Sequence, residues 1–66
     1  MSEPSGTPEK VAVHRAMARL DGVARGLGLG EATTRQIIEA VVADMPDQPE
    51  EERFTEARRR MIVASA

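Results

Sequence analysis

Residues 20–39 read LDGVARGLGLGEATTRQIIE, and this stretch decides the fold. Gly26, Gly28 and Gly30 alternate with Leu27 and Leu29 between two segments whose apolar residues recur at helical spacing. Upstream, Val13, Met17, Leu20, Ala24 and Leu27 follow steps of four, three, four and three, which puts them on one side of a helix, with Val11, Ala16 and Ala18 flanking them. Downstream, Ile37, Ile38, Val41, Val42 and Met45 form a broad apolar face, with Ala40 beside it. Glycine between the two is suited to end one helix in a left-handed conformation and let the next begin at close quarters, while Leu27 and Leu29 drop into the core. A phosphate-binding loop does not fit: GLGLG lacks the G-x-G-x-x-G spacing after a strand, and no P-loop lysine follows.

Moving outward, Thr7, Pro8 and Glu9 read as an N-cap, a first-turn proline and a first-turn acid, so a helix is expected from residue 8. Gly22 and Gly26 each cost about 1 kcal/mol of helix propensity relative to alanine. A break near Asp21 and Gly22 is therefore an expectation, giving helices over 8–20 and 21–27; whether the first helix divides there stays open. The next helix is expected over 31–45, stopped by Pro46, with Thr33 and Gln36 an alternative capping box that delays its start. Asp47-Gln48-Pro49-Glu50 supplies a restart, with Asp47 as cap and Glu50 reaching back, and a last helix over 48–63 buries Phe54, Ala57, Met61 and Ile62. The fold class expected is all-α: a compact bundle of three to four short helices in one domain, 8–66, preceded by a flexible Ser-, Gly- and Pro-rich arm, 1–7. Leu20, Leu27, Leu29, Ile37, Val41, Phe54 and Met61 are expected to meet in its core.

Composition limits what such a bundle can do. A chain of 66 residues has room for one small core. It has no cysteine, which excludes disulfides and thiolate-held zinc. Phe54 is the sole aromatic, so the core must be aliphatic. The formal net charge is -2, yet residues 10–37 carry five cations against Asp21 and Glu31, while 38–66 carry seven acids against four arginines. The chain is mildly bipolar and lacks the strongly basic balance of an electrostatic nucleic-acid clamp. The first residues have neither the positive start nor the apolar run of a signal peptide. No apolar run approaches the about 20 residues of a membrane span. The expectation is a cytoplasmic location with no membrane partner.

No constellation points to catalysis. His14, the only histidine, has Ala18 where an orienting acid would stand on the next turn, so it reads as a surface or boundary residue. Glu50, Glu51 and Glu52 occupy a first turn, where acids are electrostatically favoured, and adjacent side chains on a helix cannot converge on one atom. No metal-ligand or serine-nucleophile motif occurs. No enzyme activity, cofactor or metal is expected. Arg58, Arg59 and Arg60 near the end of the last helix offset its unsatisfied carbonyls, and Arg58, Arg59 and Met61 are the candidate protein-interface residues.

Residues 20–39 also resemble the helix-turn-helix segment shared by many bacterial repressors, activators and the promoter-reading domains of sigma factors. The matching residues are Ala24 in the first helix, Leu27-Gly28-Leu29 at the turn, and Thr33, Thr34, Arg35 and Ile37 beyond it. Gly30 stands where a capping Ser or Thr is common, Thr34 where a buried Val or Ile is common, and Gly22 weakens the first helix. The resemblance implies close helix crossing at Ala24 and a recognition helix in which Arg35 and Gln36 read bases. It further implies surrounding phosphate contacts from Lys10, Arg15, Arg19 and Arg25, depending on helix orientation. Two functional readings follow. The first is a small non-enzymatic helical protein-interaction module, an adaptor or regulator with a protein partner. The second is a helix-turn-helix DNA-binding transcription regulator. Homodimer formation is open under either.

Overall fold

The computed structural model describes residues 8–66; the expected Thr7 cap and the arm at 1–7 lie outside them. Three helices follow in order: α1, Pro8–Leu27; α2, Glu31–Asp44; and α3, Glu50–Ser65. Each packs against the other two, and the bundle measures 42 × 21 × 15 Å. Every regular element among the described residues is helical, as the apolar periodicity requires.

α1 runs unbroken through Gly22 and Gly26, so of the two arrangements left open by the sequence, three helices and not four are formed. Glycine weakens a helix without obstructing it as proline does. Here the apolar stripe continues past Gly22 through the half-buried Val23 and the buried Ala24, so tertiary contact holds the turn that propensity disfavours. An ion pair from Arg25 Nε to Asp21 Oδ2, 3.2 Å, spans the same turn.

The helix ends where the glycine alternation begins. Gly28 sits at φ 74°, the left-handed region, and donates to the Arg25 carbonyl at 3.1 Å, while the Leu29 amide donates to the Ala24 carbonyl at 2.9 Å. This pair of bonds closes a Schellman motif, and it turns Leu29 back to pack beside the core. Gly30 then serves as the N-cap of α2 with an extended backbone and no side-chain cap. Thr33 and Gln36 lie inside α2 and do not delay its start.

The core is built from small and branched aliphatics. Ala16, Leu20 and Ala24 of α1, Ile38, Val41 and Val42 of α2, and Ala57 and Met61 of α3 are buried together. Of the seven residues expected to meet there, Leu20, Val41 and Met61 are buried, whereas Leu27, Leu29, Ile37 and Phe54 are half-buried against its edge. Alanine at 16, 24 and 57 lets the helices approach closely around Leu20, Ile38, Val41 and Met61, while Leu27, Leu29, Ile37 and Phe54 pack at the rim. Thr34 is buried at 2% exposure, and its hydroxyl donates to the Gly30 carbonyl at 2.9 Å, so its polar group is satisfied inside the helix.

α2 ends at Asp44, with Met45 as its cap, and α3 starts two residues later than the sequence suggests. Asp47 does not cap α3; Pro49 occupies that position with no side-chain cap bond. The residue before a proline is driven out of the helical region, so Gln48 cannot begin a helix. The connection is instead closed by Arg53, whose Nη1 donates to the carbonyls of Gln48 at 2.6 Å and Met45 at 3.4 Å. At the far end α3 continues to Ser65, and Ile62, expected in the core, is 52% exposed.

Candidate functional site

α3 presents exposed aliphatic side chains beside arginines that have no ion-pair partner among the described residues. Its inner side carries Ala57 and Met61, both buried, so Met61, at 0% exposure, is a core residue and has no surface with which to touch a partner. Its place beside Arg58 and Arg59 is taken by Ile62 and Val63, exposed by 52% and 69%. Residue spacing explains the exchange: Met61 is one helical turn from Ala57 and shares its direction, whereas Ile62 stands one turn from Arg58 on the outer side. Val63 in turn follows Arg59 by four residues. Two strongly exposed β-branched side chains thus lie among two arginines.

Those arginines differ from their neighbour. Arg60 is held by two carboxylates, Nε to Glu56 Oε2 at 2.8 Å and Nη1 to Asp44 Oδ2 at 3.1 Å. The hydrogen bond to Glu56, and after the opposing effect of desolvation that to Asp44, raises its hold on its proton above the ordinary guanidinium range. It ties α3 to the end of α2. Arg58 and Arg59 make no ion pair or hydrogen bond through their side chains among the described residues, and both are exposed.

The four arginines that the helix-turn-helix resemblance singles out each have a partner within the chain. Arg25 pairs with Asp21, and Arg35 Nη2 lies 3.6 Å from Glu31 Oε2 on the first turns of α2. Arg19 places its guanidinium 5.2 Å from the centre of the Phe54 ring, a cation–π contact that closes α1 on α3. Arg15 reaches across to Glu50 of α3 at 2.9 Å. Gln36 is exposed on the outer face of α2, in a row with Ala32 and Ala40 at four-residue spacing. That outward row has no cation, and Glu39 lies beside it.

Two shallow grooves run between α1 and α2 and meet at His14 and Arg35. One, of about 760 Å³, has Val11, Val13, Val42 and Ala43 between Lys10 and Glu39. The other, of about 590 Å³, extends past Met17 and Ala24 to Leu29. His14 is exposed at their junction, with no carboxylate of the described residues bonded to it. Among the described residues no group of three or more His, Asp or Glu side chains is placed to hold a metal ion, and no helix is long and apolar enough to cross a membrane. Sequence reasoning missed the closing role of Arg53 and the exposure of Val63. Pro49 carried a signal for the first, since it forbids an earlier start of α3. No protein-family model, curated protein or solved structure matches this chain.

Proposed function

We propose that this chain is a small non-enzymatic helical interaction module, an adaptor or regulator whose partner is a protein, and that it docks through the outer face of α3. The observation that carries the reading is the grouping of Arg58, Arg59, Ile62 and Val63: guanidinium groups unpaired among the described residues, beside the two most exposed large aliphatics of those residues. Arginine and apolar side chains together are the chemistry of interface centres, where the guanidinium finds a carboxylate and the aliphatic group leaves water.

A second reading, a helix-turn-helix DNA binder, draws support from the turn: Gly28 is left-handed, with Ala24 and Thr34 buried on either side of it. Against it stand the ion pairs of Arg25 and Arg35 and the lack of cations along the outward row of α2. Such exposed pairs are weak enough to be exchanged for phosphate, and a binding experiment separates the two readings. The chain is used to capture partners from source lysate with and without nuclease, beside a DNA-binding titration at low and high salt. The expected result is a stoichiometric, nuclease-resistant protein lost on Arg58→Glu with Arg59→Glu. Sequence-selective DNA binding that falls steeply with salt and disappears with Arg35→Ala and Gln36→Ala, without such a protein, overturns it.

A further inference from the structure

The geometry points to a second copy of this chain as an occupant of the outer face of α3, the two helices lying antiparallel about a two-fold axis that passes through Thr55. This rests on the reading of that face as a protein interface and names the partner. On the outer face, Glu51 and Glu52 occupy the first turn, Thr55 the middle, and Arg58 and Arg59 the later turns, all exposed. Glu51 and Arg59 stand four residues on either side of Thr55, and Glu52 and Arg58 three. The pattern therefore inverts its own charge about Thr55, which is the condition for an isologous contact.

The acids and bases on this face cannot satisfy one another within one chain. Glu51 to Arg58 and Glu52 to Arg59 are each separated by seven residues, about 10.5 Å along the axis at 1.5 Å per residue. Among the described residues none of the four carboxylate or guanidinium groups has a partner. The helix dipole accounts for acids at the start and bases near the end. It does not account for Arg60, one position on, being held by two carboxylates while these four groups have none. When a second α3 is laid antiparallel with Thr55 facing Thr55, Arg58 comes beside the second copy's Glu51, and Arg59 beside its Glu52. The axis repeats both pairs. Ile62, on the same side, then reaches the second copy's Pro49 turn, which is exposed. A narrow apolar contact flanked by exposed ion pairs makes a weak association that salt suppresses, as distinct from an obligate dimer.

The test is sedimentation of the full chain at low and high salt over a range of concentrations. It covers the natural sequence, an acidic-faced variant (Arg58→Glu with Arg59→Glu), a basic-faced variant (Glu51→Arg with Glu52→Arg), and an equimolar mixture of the two variants. The natural chain is expected to dimerise at low salt and to dissociate at high salt. Each variant alone should associate at least about tenfold more weakly, since every pair becomes a like-charge contact, and the mixture should recover a heterodimer because all pairs are opposite again. Circular dichroism checks that each variant is helical, and the neutral pair Arg58→Gln with Arg59→Gln, expected to weaken association without repulsion, serves if a reversal does not fold. A natural chain that stays monomeric, a dimer unchanged by these substitutions, or a mixture that fails to associate overturns the inference. The lysate capture separates this from the broader reading: a different protein that needs Arg58 and Arg59, bound by a chain that never dimerises, upholds the interface and refutes the self-pairing.

Discussion

Gly28 carries the strictest backbone requirement among the described residues. Its φ of 74° lies where an L side chain is strained, and the two hydrogen bonds that end α1 depend on that turn. Gly28→Ala should destabilise the fold by about 1–2 kcal/mol. Gly22 is the opposite case: it is helical, and a Cβ there meets nothing within 4 Å. Gly22→Ala should stabilise by about 0.5–1 kcal/mol, because alanine has less backbone freedom to lose. A urea titration of the two variants checks both signs. The glycine turn was legible in the sequence, since the alternation with leucine left little else for those residues to do. The roles of the other glycines were not, because composition shows what glycine permits and only packing decides where that freedom is used. Thr34 illustrates the same limit: its hydroxyl is accommodated by the Gly30 carbonyl, a partner that appears only once the helix exists.

Each helix was legible from its apolar spacing, and the errors fell where two local signals competed. In α1 the glycine penalty argued for a break, and burial of Ala24 and Leu20 on one face overrode it. In α3 the capping residue Asp47 and Pro49 gave conflicting starts, and the steric rule for the residue before proline prevailed. The choice of inner face in α3 depended on one residue: Met61 and Ile62 are adjacent and similarly apolar, yet 0% and 52% exposed. Met61→Ala should therefore cost about 2–5 kcal/mol, the range for a buried side chain truncated without collapse. Leu27→Ala and Phe54→Ala, at half-buried positions, should each cost less than Met61→Ala, and Ile62→Ala should change stability by no more than about 0.5 kcal/mol. Thermal or chemical unfolding of the four variants tests the ranking, and an Ile62 variant as destabilised as the Met61 one would reverse the face assignment.

At the scale of the whole molecule, three helices enclose a core of alanines, branched aliphatics and one methionine, leaving charge to the outside. Charge is also where the candidate site became legible only in part. The arginines near the end of α3 were visible in the sequence, but their division into one tied residue, Arg60, and two untied ones, Arg58 and Arg59, depends on Asp44 arriving from α2. The same tertiary arrangement engages Arg19 with Phe54 and Arg15 with Glu50, drawing into internal contacts two cations to which the helix-turn-helix resemblance gave phosphate contacts. We propose that the outer face of α3, and not the outer face of α2, meets the macromolecular partner, and that the partner is protein. It is tested most directly by photo-crosslinking in source cells, with a photoreactive side chain placed at Ile62 in one chain and at Gln36 in another. A discrete protein adduct is expected from position 62 and no nucleic-acid adduct from position 36; nucleic acid captured from position 36, with nothing captured from position 62, would overturn the proposal.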